Sequence, residues 1–178
     1  MVSATHNSSF GRLSALDWAF CLRINRAGHA RWVRRLMGAV SRLGDGGFWA
    51  GVVLFALLTD GARAVPLALR AVAVAAACYV LYAFPKRKTA RPRPYLVSSE
   101  ILRSAEPLDQ YSFPSGHTMQ AVALTIMLTA AHPLFAWMLA PFTVLVALSR
   151  VVVGLHYPSD VAAGALLGGS VGILALAL

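Results

Sequence analysis

Acidic side chains are scarce. Against 16 Lys and Arg the chain sets 7 Asp and Glu, a formal charge of +9. Charged residues of both signs make up only 13% of it, too few to cover an ordinary soluble surface. Cysteine is nearly absent. Cys21 and Cys78 sit in apolar surroundings without metal-ligand spacing, which excludes a disulfide framework and leaves both as packing residues. No set of His, Asp and Glu has the spacing of a metal centre, so neither a metal nor any other cofactor is expected. Internal repeats and low-complexity segments are missing. Met1 to Phe10 is polar and lacks the apolar core of a signal peptide, so insertion is expected through internal helices.

What the chain has in abundance is hydrocarbon, at 58% hydrophobic residues and a mean hydropathy of +0.64. These values predict an all-α, integral membrane helical bundle. The basic residues flank apolar helices and form no nucleic-acid-binding module, so the expected partner is the lipid bilayer with its anionic headgroups, not nucleic acid.

In chain order, residues 1–45 read as an amphipathic N-terminal region and 46–178 as a helical core, together a single membrane domain. From Leu13 to Arg42, apolar residues including Trp18, Leu22, Trp32 and Leu36 alternate with arginines such as Arg23, Arg31 and Arg35. This predicts one or two helices lying at the membrane surface, the alternative being a poorly hydrophobic span. After the glycine-rich Leu43–Gly47, apolar spans are expected at 48–59, 65–84, 116–131, 133–153 and 159–178. The first is short and must borrow flanking residues to cross. Small residues crowd the last, from Ala162 to Gly172, which suits close helix packing. The one long polar segment is 85–115, where Ser99–Arg103 reads either as a short surface helix or as plain loop.

Three polar clusters punctuate the core. Lys86, Arg87, Lys88, Arg91 and Arg93 follow the second span, a concentration of cations that suits a phosphate ligand or a topology signal. Pro114-Ser115-Gly116-His117 opens the third span. There the free N–H groups of a helix start, a glycine and a hydroxyl can cradle an anion, and His117 can donate a proton; an ordinary helix start reads the same way. Ser149-Arg150 and then His156, Pro158 and Asp160 bridge the fourth and fifth spans. A neutral imidazole there can attack phosphorus if an acceptor such as Asp160 fixes its tautomer, although the pair would also serve as helix caps. Alternating spans bring all three clusters to one face of the membrane.

Taken together, these residues resemble a family. Lys86 with six residues before Arg93-Pro94, then Pro114-Ser115-Gly116-His117, then Arg150 with five residues before His156 and three more before Asp160, is similar to the three-part signature of the type 2 phosphatidic acid phosphatases. That family shares its site with vanadium-dependent haloperoxidases. The resemblance implies a metal-independent lipid phosphatase in which His156 is the nucleophile forming a phosphohistidine and Asp160 orients it. His117 would be the acid that protonates the leaving group and later activates water. Lys86, Arg93, Ser115, Gly116 and Arg150 would hold the nonbridging oxygens, within an active-site loop at 85–115. Arg87, Lys88 and Arg91 fall outside the signature. Family members usually have six spanning helices, so five to six are expected here, with any sixth in the N-terminal region.

Small size and the Leu16-Asp17-Trp18 opening look like compact bacterial carrier-lipid phosphatases of the inner (plasma) membrane. Undecaprenyl diphosphate is therefore the expected substrate, ahead of phosphatidate, phosphatidylglycerol phosphate and lipid A phosphate. Haloperoxidase-like oxidation is the alternative chemistry and non-enzymatic lipid binding the alternative class. Apolar spans weigh against the first, since those relatives are soluble. The intact His117, His156 and Asp160 weigh against the second.

Overall fold

The computed structural model describes residues 9–177. The first eight residues of the polar opening, and Leu178 at the end of the last expected span, lie outside them. Among the described residues eight α-helices run in the order α1 (Ser9–Asn25), α2 (Arg31–Leu43), α3 (Gly47–Asp60), α4 (Val65–Thr89), α5 (Pro94–Val97), α6 (Gly116–Ala131), α7 (Ala136–Val152) and α8 (Pro158–Leu174), with no strand. The fold is all-α, and the five expected apolar spans fall on α3, α4, α6, α7 and α8. Among the described residues three helical stretches, Gly47–Val97, Pro133–Val152 and Pro158–Ala177, are long and apolar enough to cross a membrane. The first of these doubles back where Gly61, at φ 59, ends α3 in a conformation that L side chains rarely adopt.

Helix α6 has 16 residues, fewer than the roughly 20 of a complete span. It is the centre of the bundle, packed on α4, α7 and α8, with Met119, Ala123, Leu124 and Leu128 fully or almost fully buried. The small residues of α8 permit this. A Cβ on Gly168 would overlap the backbone of Met119, and one on Gly164 would stand 2.5 Å from the Ser115 carbonyl oxygen. Close backbone approach of this kind is how apolar helices gain packing energy where hydrophobic burial adds little. Lipid-facing sides of the helices stay apolar, as at Leu58, Val72, Phe84, Trp137 and Leu166.

Helices α1 and α2 form the N-terminal region, joined by a 3-10 turn at Arg26–His29. They present Leu16, Phe20, Trp32 and Leu36 outward, while Cys21, Asn25, Val40 and Ser41 are buried against the core. Asn25 ties this region to the rest: its amide donates to the carbonyl oxygens of Leu102 (3.0 Å) and Val152 (2.9 Å) and accepts from the Leu102 N–H. These bonds settle the alternatives at Ser99–Arg103, which is turn and loop. With the Leu102 backbone committed to Asn25 and Ile101 buried, the local bonds of a helix cannot form there. The short helix of this segment is α5, begun by Pro94 at its first position.

Candidate active site

Helix ends converge at one side of the bundle. Helix α4 delivers Lys86 in its last turn, and the chain then turns at Ala90 through a left-handed residue. Helix α6 begins at Gly116, so its free N–H groups point to the same place. Helix α7 stops after Val152 because Gly154, at φ 79, turns the chain where a Cβ would meet the Leu102 carbonyl oxygen at 2.7 Å. Pro158 then opens α8, and Asp160 caps it by accepting the Tyr157 N–H at 2.8 Å. His156 is thereby held in a rigid break between two helices.

A cavity of about 50 Å³ lies where these ends meet. Lys86, Arg93, Gly116, His117, Arg150 and His156, all singled out from sequence, line it. Arg93 and Arg150 are almost completely buried, as is His156. Arg93 is fixed on three sides: Nη1 donates to the Leu155 carbonyl oxygen (2.9 Å), Nε to that of Asp109 (3.1 Å), and Nη2 to Asp109 Oδ1 (2.8 Å). Its Nη1 is also 3.3 Å from His156 Nε2. Arg150 donates from Nη1 to Ser41 Oγ, while its buried Nε finds no hydrogen-bond partner among the described residues.

The His156 ring is oriented from behind. Its Nδ1 is 2.7 Å from the Ser112 carbonyl oxygen, so Nδ1 carries the proton and donates it, leaving the Nε2 lone pair on the side of Arg93. Burial, and then the charges of Arg150, Arg93 and Lys86, hold the imidazole pKa well below its usual value, so the ring is neutral. Two other expected residues stand behind the cavity wall. Ser115 Oγ caps α6, accepting from the Thr118 N–H at 3.4 Å and lying 3.0 Å from Thr118 Oγ1. Asp160 Oδ2 is 3.7 Å from His156 Nδ1, beyond hydrogen-bond distance. The carboxylate is drawn instead to the Tyr157 N–H and to Arg91 Nη1 (2.6 Å).

Sequence reasoning passed over Asp109 and Asp45 and kept Arg91 only as a cation outside the signature. Asp109 bridges Lys86 and Arg93. Burial opposes its ionisation, but the bond and charge of Lys86, with those of Arg93, outweigh that and lower its pKa. Asp45, in the turn between α2 and α3, is bonded to His117 Nε2. Arg91 stacks its guanidinium 3.8 Å from the centre of the Tyr157 ring and joins Asp160 to Asp17 and Ser159. Among the described residues no group of three or more His, Cys, Asp or Glu comes together as a metal site would require. Next to the polar cavity, between α3, α4 and α6, runs an apolar groove of about 320 Å³ lined by residues such as Trp49, Leu57, Val72 and Leu124. Gln120 borders both spaces.

Comparison with known proteins places this geometry. The PAP2 superfamily model matches residues 67–178. The chain is 36% identical over 145 residues to an undecaprenyl-diphosphatase of Sulfolobus acidocaldarius, covering 79% of this chain and 68% of that protein. It is 37% identical over 130 residues to a decaprenylphosphoryl-5-phosphoribose phosphatase of Mycobacterium tuberculosis, covering 70% and 69%. Among solved structures, Aquifex aeolicus LpxE superposes with a TM-score of 0.73 at 25% identity, over 90% of this chain and 94% of that one. A PAP2-type phosphatidylglycerolphosphate phosphatase of Bacillus subtilis shares the fold at a TM-score of 0.70 and 22% identity, over 98% and 88%.

Proposed function

The chain belongs to the PAP2 superfamily and is a membrane lipid phosphatase, and from that premise we propose that it hydrolyses undecaprenyl diphosphate to undecaprenyl phosphate through a phosphohistidine on His156. The observation that carries this reading is the His156 ring, with Nδ1 bonded to a backbone carbonyl and the Nε2 lone pair turned to Arg93 Nη1 at 3.3 Å, a contact that an incoming phosphoryl group would displace. A neutral imidazole so oriented has its nucleophilic lone pair in the one place where fixed cations collect.

Phosphoryl transfer spreads charge over the nonbridging oxygens, and donors already fixed in a dry site stabilise that charge without reorganising. The cationic heads of Arg93, Arg150 and Lys86 supply such donors, and the Gly116 N–H at the start of α6 supplies another. The Nε2 lone pair attacks the terminal phosphorus. The bond to the bridging oxygen breaks, its electron pair stays on that oxygen, and His117 provides a proton there. Water then attacks the phosphohistidine, gives its proton to His117, and returns the bonding pair to Nε2.

The cavity holds little more than one phosphoryl group, given that one water needs about 10–15 Å³ of such space. Specificity for the rest of the lipid must come from outside it. The apolar groove that meets the cavity at Gln120 offers a prenyl chain a path along the bundle, and the carrier-lipid substrate in the name of the Sulfolobus relative favours that chain over a glycerolipid. In this reading the whole chain works as one phosphatase domain in a bacterial plasma membrane, with 85–115 as its active-site loop and 1–45 as its surface-lying part.

The test is phosphate release in detergent from undecaprenyl diphosphate, phosphatidate and phosphatidylglycerol phosphate. The diphosphate is expected to give the highest kcat/KM, and His156→Ala to abolish release from all three. Release by His156→Ala at the parent rate would remove the phosphohistidine. A clear preference for a glycerolipid would overturn the substrate.

A further inference from the structure

The residues carrying the family signature do not complete their own site. Helix α2 and the turn after it, which precede the part of the chain matched by the family model, reach across to two of them. Ser41 holds Arg150 by Nη1, and Asp45 holds His117 by Nε2. The turn is built for this. Gly46, at φ 125, reverses the chain immediately after Asp45, and Gly44 lies so close to Val146 that a Cβ there would stand 3.2 Å from its methyl carbon. Asp45 is anchored through Gly44 to α7, and its carboxylate stays partly open to the cavity mouth.

The surroundings of His117 otherwise oppose a proton-carrying ring. Lys86 arrives from α4 and Arg150 from α7, both cationic, and His156 stands across the cavity. The ring also lies on the first turn of α6, where the partial positive charge of a helix start disfavours an imidazolium. Asp109, the other carboxylate of the cavity, is committed to Lys86 and Arg93. Asp45 is the anion in contact with the ring.

We propose that Asp45 is the positioning residue for the acid His117: it fixes the ring through Nε2, stabilises the imidazolium, and leaves the Nδ1 proton for the departing oxygen. This rests on the phosphohistidine reading above. In the first half-reaction the Nδ1 proton goes to the leaving oxygen as the P–O bond breaks. In the second, the same nitrogen takes a proton from the attacking water. Asp45 stays ionised throughout and touches no reacting atom.

The experiment uses the full chain in detergent, in excess over two monophosphates that differ in their need for an acid, and reads single-turnover release of the leaving group, which precedes the phosphohistidine hydrolysis common to both. Phosphatidate releases an alcohol whose oxygen must be protonated, whereas nitrophenyl phosphate releases a phenolate that leaves unaided. Asp45→Asn is expected to lower the saturating single-turnover rate on phosphatidate by roughly 10- to 100-fold, part of the 10²–10⁴ that a general acid contributes, with the half-saturating concentration little changed. The loss on nitrophenyl phosphate should stay under about 3-fold, and Asp45→Glu should recover part of the lost rate. His117→Ala should show the same selectivity, and the double variant should be no slower than His117→Ala alone, as expected for two residues acting as a unit. Equal losses on both substrates for Asp45→Asn, or multiplying losses in the double variant, would overturn the proposal while leaving His117 as the acid. Should His117→Ala itself lack the selectivity, its role as acid falls and this inference with it, independently of what His156→Ala does.

Discussion

The Nδ1 atom of His156 stands 2.7 Å from the carbonyl oxygen of Ser112. A main-chain oxygen thus fixes the tautomer, while the Asp160 carboxylate is a near neighbour at 3.7 Å that contributes charge without a bond. The backbone at Ser112 is itself anchored, since its N–H donates to the Arg91 carbonyl oxygen at 2.9 Å. Asp160→Asn should therefore keep the ring in place and lose only the charge that favours the developing imidazolium-like phosphohistidine. We expect kcat for phosphate release to fall by roughly 10- to 100-fold, about 1.4–2.8 kcal/mol in the barrier, whereas His156→Ala falls to background. If Asp160→Asn were as inactive as His156→Ala, the Ser112 carbonyl would not be the group that orients the ring.

Keeping His156 neutral has a thermodynamic consequence. Burial and the neighbouring Arg150, Arg93 and Lys86 lower its pKa in the folded protein far below the usual value near 6.5. Between those two values the unfolded chain binds a proton that the folded chain refuses, so stability rises with pH there and is lost as pH falls below about 6.5. The slope approaches 1.4 kcal/mol per pH unit for one such group. Melting in detergent at about pH 7, 6 and 5 should show the midpoint falling with pH, and His156→Gln should flatten that fall. An equal slope in both proteins would mean that His156 titrates alike in the folded and unfolded chains.

Asp109 ties together two cations that the substrate also needs. Lys86 and Arg93 are buried, and their shared carboxylate is about one-third exposed. Removing its charge leaves both cations facing each other across the cavity. Because Asp109 is partly solvated, we expect Asp109→Asn to destabilise by roughly 1–3 kcal/mol, less than breaking a fully buried pair. A bound oxyanion would replace the missing charge. Vanadate should thus raise the melting midpoint of Asp109→Asn by more than it raises that of the parent. A smaller rise in the variant would show that Asp109 helps to hold the anion instead of balancing its absence.

Much of this arrangement was legible before any coordinates. The spacing of Lys86, Arg93, His117, Arg150 and His156 marks the cavity because each lies at a helix end, and apolar runs locate helix ends well. The N-terminal supports were not legible in that way. Asp17, Ser41 and Asp45 act across 72 to 142 residues of chain, and no local period announces a contact of that range. The scarcity of acid was a usable signal. Of the seven acidic residues, Asp17, Asp45, Asp109 and Asp160 all contact cations or histidines at the site. In a chain with so few, an Asp between glycines is poorly explained by solubility. At Ser115 sequence leaves two roles open, because a hydroxyl at a helix start can cap the helix, as it does here, or meet a ligand.

The site also depends on how closely α8 lies against α6. Ser115 N–H donates to the Asp160 carbonyl oxygen at 3.0 Å, which locks the start of α6 to the first turn of α8 and so sets His117 against His156. Farther along the same seam, a methyl group on Gly168 would overlap the Met119 carbonyl oxygen, which is backbone and cannot swing aside. The neighbouring Gly169 has nothing within 4 Å of the same position. Gly168→Ala should force the helices apart, destabilising by roughly 1–3 kcal/mol, and should lower kcat as the two histidines separate. Gly169→Ala adds a better helix former in open space and should leave stability within about 0.5 kcal/mol of the parent or slightly raise it. Melting midpoints and phosphate release, measured for both variants in one detergent, check the contrast. Equal behaviour of the two would mean that the seam yields without disturbing the site, and that the α6–α8 contact does not hold His117 and His156 in register.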